Sequence, residues 1–225
     1  MTNLKVKAFG GLLLLLLVMA TLLFVPAWTL NNKRTWAFLA VFGGAALVIT
    51  LYLMKKDKKL LERRVYAGPN AEKERSQQII QSITAVGFGA GLIVASLDYR
   101  MNWSRVPLSA VVAGDLLVAV GFLIVFLVYR ENSFASATIK LAPDQKVIST
   151  GPYALVRHPM YFGGLVMFVG IPLALGSWWG LLVFAFMVPA IIWRLLDEEK
   201  FLENNLMGYS DYRARVTYRL ILFVW

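Results

Sequence analysis

Two groups of polar residues stand at either end of a run of 35 uncharged residues between His158 and Arg194. Before the run, the segment QKVISTGPYALVRHPMY (residues 145–161) carries a Gly151-Pro152 turn signal, the chain's one His directly before a helix-starting proline, and Tyr153 and Tyr161 around them. After the run come Arg194, Asp197, Glu198 and Glu199, then Gly208, Tyr209 and Tyr212. A guanidinium is suited to hold a carboxylate or phosphate, and a glutamate can accept a proton from a reacting amine. With no cysteine and a single histidine, thiolate chemistry, disulfides and a Cys/His metal centre are excluded, and no metal site is expected.

The elements that must position these groups are transmembrane helices. Of the 225 residues 59% are hydrophobic and 16% charged, against roughly a quarter charged in ordinary soluble domains. A bilayer core needs roughly 20 apolar residues per helical crossing. Residues 8–30, 35–54 and 76–97 carry no charge, and 106–129 carries only Asp115, so each is expected to span. The 35-residue run would rise about 52 Å as one helix, too far for one crossing. A hairpin over about 159–194 fits it, turning at Gly176-Ser177, with Trp178 and Trp179 at the interface and Pro172 and Pro189 allowing bends. The expected fold is therefore an all-α integral membrane protein of about six transmembrane helices. Residues 1–138 form a four-span region and residues 139–225 a region holding the hairpin and a polar tail. The hairpin returns the chain to the face it left, so the two polar groups converge at one mouth.

The net charge of +10 has an orientational explanation. Placing both termini in the cytoplasm puts 19 of the 23 Lys and Arg residues inside and leaves Lys33, Arg34, Arg100 and Arg105 outside, as the positive-inside rule asks. The expected location is the inner membrane if the host is bacterial. Lys5 and Lys7 before a leucine run, with Val18-Met19-Ala20 after it, resemble a signal peptide. The apolar stretch continues past Ala20, which favours an uncleaved anchor. Basic residues between Lys55 and Arg75 could also touch anionic headgroups, and no aromatic-interleaved basic patch supports nucleic-acid binding.

At residues 145–220 the chain resembles the isoprenylcysteine carboxyl methyltransferase family, integral-membrane enzymes related to the phospholipid N-methyltransferases. The resemblance rests on GPYALVRHPMY, the apolar hairpin, the Glu198-Glu199 pair, and a G-x-x-x-Y-x-x-R-V tail read as Gly208, Tyr212, Arg215 and Val216. It implies S-adenosylmethionine as cofactor, bound by Gln145, Lys146, Val147, Ile148, Tyr153, His158, Pro159, Met160 and Tyr161 in a cytoplasm-facing pocket. It also implies an acceptor site built by Arg194, Glu198 and Glu199. Gln145 stands where family members of the eukaryotic type usually have His, and their Arg lies one residue nearer the acidic pair than Arg194 does.

The implied activity is methyl transfer to a lipid-like acceptor entering from the bilayer, with carboxyl O-methylation of an isoprenylcysteine-type substrate expected first. Methyl transfer from a sulfonium to a carboxylate neutralises two charges, so a dry site assists it, and it requires mainly positioning. The alternative is N-methylation of a phospholipid amine, in which Glu198 or Glu199 would take a proton. A reductase related to the sterol reductases, or a transporter or scaffold, are further readings. Individual residues also have plainer roles available. Arg194 and Glu198, at i and i+4, could form a surface ion pair. His158 could cap a helix, and the tyrosines could belong to an interfacial belt. Asp115 could make an interhelical hydrogen bond. Gly87 to Gly91 reads as small-residue helix packing and not as a dinucleotide loop, since no strand precedes it.

Overall fold

The apolar stretches separated by charged turns fold as helices, and the computed structural model describes residues 2–142 and 144–225. The order is α1 (Thr2–Ala27), α2 (Lys33–Lys56), α3 (Lys58–Val65), α4 (Arg75–Met101), α5 (Leu108–Glu131), α6 (Pro159–Leu175), α7 (Trp178–Asn205) and α8 (Tyr209–Arg215). Five of these, α1, α2, α4, α5 and α7, are long and apolar enough to cross a membrane. Four of them fall on the spans expected from residues 8–30, 35–54, 76–97 and 106–129. The helix starts follow from local chemistry. Asn32 accepts hydrogen bonds from the amides of Arg34 (3.2 Å) and Thr35 (3.3 Å) to open α2, and Asp57 accepts from Leu60 N (2.9 Å) to open α3.

The hairpin forms where expected, with arms of unequal length. Gly176 ends α6 in the left-handed region (φ +76°), and Ser177 opens α7 by accepting from Gly180 N at 2.8 Å. α6 has 17 residues, a rise of about 26 Å, which falls short of a hydrocarbon core of about 30 Å. The chain before α6 is irregular apart from a short 3-10 turn at Gly151–Ala154, and its last residues, Val156, Arg157 and His158, are buried. α7, with 28 residues, overshoots and carries Arg194 to Asn205 beyond its apolar half.

Small residues let the helices that frame the site touch backbone to backbone. A Cβ on Gly114 of α5 would lie 2.2 Å from Ala174 N of α6, and one on Gly170 of α6 would lie 2.8 Å from Val118 N of α5. The expected packing role of Gly87 to Gly91 also holds. Gly91 receives the Phe184 ring and Gly87 the Met187 side chain, joining α4 to α7. A second apolar cluster, including Leu53, Leu60, Leu61, Val128 and Tyr129, seats α3 against α2 and α5. α3 was unanticipated. Its charge-rich sequence hides a two-leucine face, and its buried leucines carry Arg63 and Arg64 to the carbonyls of Ser133 (2.6 Å) and Ser136 (3.0 Å).

At the opposite face, Asp98 is buried and ties three segments together. Its carboxylate accepts from Ser104 N (2.7 Å), Ser104 Oγ (2.6 Å) and the Ser177 hydroxyl. This knot joins the end of α4, the following loop and the hairpin turn, so the α6–α7 arms are fixed at the end remote from the polar mouth.

Candidate functional site

A cavity of about 350 Å3 opens among the polar ends of the helices. Its wall is drawn from the end of α3, from α4, from the segment between α5 and α6, from the start of α6, from the polar half of α7 and from α8. The volume lies within the usual range for small-molecule sites. Gln145, Lys146, Val147, Ile148, Tyr153, His158, Pro159, Met160 and Tyr161 all line it, as do Arg194 and Glu198. Glu199 does not.

Glu199 has a different environment from its neighbour. It is 4% exposed, accepts from Arg157 Nε at 2.6 Å and from Arg219 Nε at 2.8 Å, and lies 3.8 Å from His158 Nε2. Arg157 also donates to the carbonyls of Val216 and Thr217, both at 2.8 Å. The backbone follows the same pairing, with Arg157 N donating to Tyr218 O (2.9 Å) and His158 N to Arg219 O (2.8 Å). Glu199 therefore latches the C-terminal tail onto the segment before α6. Two arginines consume both its oxygens, leaving it turned away from the cavity.

Glu198, one residue earlier and about 100° around the helix, faces the cavity. Tyr161 donates its hydroxyl to Glu198 Oε2 at 2.5 Å, and Glu198 forms no ion pair among the described residues. The plain i, i+4 pairing of Arg194 with Glu198 does not form. Arg194, 9% exposed, instead donates to Glu72 Oε1 (2.7 Å), Gln77 Oε1 (2.8 Å) and Ala137 O (2.9 Å). Glu72 in turn accepts from Ile139 N at 3.2 Å, and Gln77 donates to Asp197 at 2.7 Å. This network fastens the 137–139 segment, one wall of the cavity, to α4 and α7.

Four tyrosines give the cavity an aromatic lining: Tyr153, Tyr161, Tyr209 and Tyr212. Asn132 donates to the Tyr153 hydroxyl and Tyr212 donates to Tyr153 O, each at 2.8 Å. Burial pushes the Tyr153, Tyr209 and Tyr212 phenols above their ordinary range, and for Tyr209 the nearby Glu199 and Glu198 charges add to the rise. All three phenols are neutral near pH 7. Gln145 uses its side-chain oxygen on Ala142 N (2.9 Å), and Met160 sulfur accepts from Arg64 at 3.7 Å, so both shape the wall from within.

Two buried polar atoms on this wall have no hydrogen-bond partner among the described residues: His158 Nε2 and the Tyr209 hydroxyl. A buried donor or acceptor left unmade costs about 1–3 kcal/mol. Their presence in a cavity of this size fits a ligand that brings polar atoms of its own. Asp115 Oδ1 is likewise without a partner, within α5, so the interhelical hydrogen bond considered for Asp115 is not made at that oxygen.

Residues 109–207 match the Phospholipid methyltransferase family. The match covers just under half of the chain and contains most of the cavity wall, from Asn132 through α6 to Leu206. The chain is also 27% identical over 129 residues to the nickel-cobalt-cadmium resistance protein NccN of Alcaligenes xylosoxydans xylosoxydans, covering 55% of this chain and 56% of that protein. The chain thus spans about half the length of this curated relative. The finer resemblance to the isoprenylcysteine branch is not resolved by either similarity.

Several residues of the site carry no sequence signal strong enough to assign them. Glu72 and Gln77 sit among other charged and polar residues before and within α4, and only burial distinguishes them. Arg157 and Arg219 are ordinary basic residues until the tail folds back. Tyr212 was legible as part of the tail pattern, but neither it nor Tyr209 as cavity lining.

Proposed function

We propose that the protein is an S-adenosylmethionine-dependent methyltransferase acting on a lipid-like acceptor at the membrane. What supports this reading above all is that the nine residues expected to hold the cofactor, all from the segment 145–161, line one cavity, inside a region that matches a membrane methyltransferase family. The residues suit the cofactor. His158 Nε2 and the Tyr209 hydroxyl offer unmet polar atoms, the 145–148 segment offers backbone groups, and the tyrosine faces attract a sulfonium. When bound, S-adenosylmethionine supplies an electrophilic methyl group and departs as a neutral thioether.

The remaining work falls to the protein. The latch of Glu199 with Arg157 and Arg219 holds the tail over the segment before α6, which keeps water from one side of the cavity. Apolar side chains such as Ile191, Phe201 and Leu202 line the α7 wall, where an acyl or prenyl chain can lie. The acceptor group we assign is an amine of a phospholipid headgroup. Glu198 is the carboxylate on the cavity wall without a cationic partner, so it can attract an ammonium and accept its proton, freeing the nitrogen lone pair for the methyl group. Arg194, which a carboxylate acceptor would need, is already held by Glu72 and Gln77.

On the charge distribution, the proposed orientation has the cavity facing the cytoplasm with both termini there, in the inner membrane if the host is bacterial. The test is incubation of membranes, with and without the protein, with methyl-labelled S-adenosylmethionine. Label in a base-stable headgroup is expected. Base-released methanol would point instead to a carboxyl ester of the isoprenylcysteine type, and no protein-dependent label in any lipid would overturn the reading. In parallel, detergent-purified protein should bind S-adenosylhomocysteine, and His158→Ala should weaken that binding.

A further inference from the structure

The cation on the α7 wall of the cavity is neutralised by a residue from outside that wall. Glu72 lies in the connection between α3 and α4, is 5% exposed and does not line the cavity, yet its Oε1 accepts from Arg194 NH2 at 2.7 Å. Its other oxygen is committed to Ile139 N, and Arg194 NH1 is committed to Gln77. The guanidinium that could recognise an anionic acceptor therefore enters the site already paired. The other cations on the wall are bound elsewhere or lie at the mouth. Arg157 serves Glu199 and two tail carbonyls, Arg64 serves Ser136 O, and Lys140 and Lys146 are exposed at the mouth.

We infer that Glu72 is the specificity-setting positioning residue of the site. By holding Arg194 it leaves Glu198 as the group that reads acceptor charge, so the cavity takes amine headgroups and rejects carboxylate amphiphiles. This rests on the amine reading above and adds the residue that enforces it. The selectivity has an electrostatic cause. A carboxylate reaching Glu198 would find the buried guanidinium beside it, Arg194, already paired, with Lys140 and Lys146 exposed at the mouth, and would have to displace that charge-assisted pair to gain Arg194. Glu72→Gln keeps an oxygen able to accept from Arg194 but removes the competing charge. Arg194 is then available to an incoming anion.

The experiment measures binding of two single-chain probes, lysophosphatidylethanolamine and N-acetyl-S-farnesylcysteine, to purified full-length protein in detergent saturated with S-adenosylhomocysteine. Wild-type protein is expected to prefer the amine probe. Glu72→Gln is expected to raise affinity for the carboxylate probe about tenfold or more, the scale of one charge-assisted hydrogen bond. The double variant Glu72→Gln/Arg194→Gln should lose that gain, because the guanidinium that produced it is gone. A purely structural Glu72 would weaken both probes together and would not exchange their order, and that result overturns the inference. A gain that persists in the double variant overturns it as well. If Glu72→Gln does not fold, as judged by S-adenosylhomocysteine binding, the wild-type comparison still decides, since equal affinity for the two probes contradicts the assignment. Failure of the underlying reading looks different: wild-type protein would then make base-labile methyl esters.

Discussion

Replacing Glu199 by alanine separates two roles that adjacent residues on α7 could share. If Glu199 held the methyl acceptor, its loss would stop turnover and leave the tail in place. The structure predicts a different result. Both carboxylate oxygens are bound, and Arg157 behind them is buried, so the substitution strands a guanidinium charge inside the protein. Breaking a buried pair this way costs about 3–5 kcal/mol. The two carbonyls of Val216 and Thr217 still serve Arg157, which favours the lower end of that range. The Arg219 side chain is 28% exposed, so its share adds less than about 1 kcal/mol. A cost of about 3 kcal/mol corresponds to roughly a hundredfold increase in tail opening. Hydrogen exchange provides the assay, because Arg157 N and His158 N are protected by the carbonyls of Tyr218 and Arg219. Faster exchange at these two amides, together with weaker S-adenosylhomocysteine binding, is expected in Glu199→Ala. Unchanged exchange and unchanged cofactor affinity with lost turnover would refute the latch and return Glu199 to the acceptor site.

Two other predictions concern the framework and the tyrosines. Gly170→Ala should destabilise the protein by about 1–3 kcal/mol, the usual cost of overpacking, because its Cβ would meet α5 backbone at 2.8 Å. Gly164→Ala, with nothing within 4 Å, should be neutral, and equal thermal midpoints for the two variants in detergent would contradict the α5–α6 contact. Burial raises the Tyr153, Tyr209 and Tyr212 phenols above the ordinary 10.0, so the folded chain keeps protons that the unfolded chain releases. Their contribution to stability is complete below the unfolded value and is lost as pH rises through the higher folded values. The difference in ultraviolet phenolate absorbance between wild type and Tyr212→Phe should stay flat until alkaline unfolding, and a phenolate signal from Tyr212 in folded protein near pH 10 would contradict its burial.

The spans were legible because a bilayer imposes a length and an apolarity on any helix that crosses it, and both can be read along the chain. The hairpin turn was legible for a similar reason: a 35-residue uncharged run is too long for one crossing, and Gly176-Ser177 is its natural break. One wall of the cavity was visible as a local motif, since residues 145–148, 153 and 157–161 of a single short segment line it. The length of the second arm was not visible, because α7 continues past the uncharged run through its charged residues to Asn205.

The partners of the charged groups also lay beyond the sequence. Glu198 and Glu199 are identical in type and adjacent in position, yet a helical step of about 100° sends one to Tyr161 at the cavity and the other to Arg157 and Arg219 beneath the tail. Arg194 could have met Glu198 one turn along its own helix, but it pairs with Glu72, distant in the chain, because α4 packs against α7 through Gly87 and Gly91 and brings that connection alongside. Composition and spacing alone thus determined a helical membrane protein with one polar mouth and the chemical types gathered there. Which carboxylate is free, and which cation is already spent, was decided by tertiary packing, since charge pairing acts over a few ångströms in space regardless of separation along the chain.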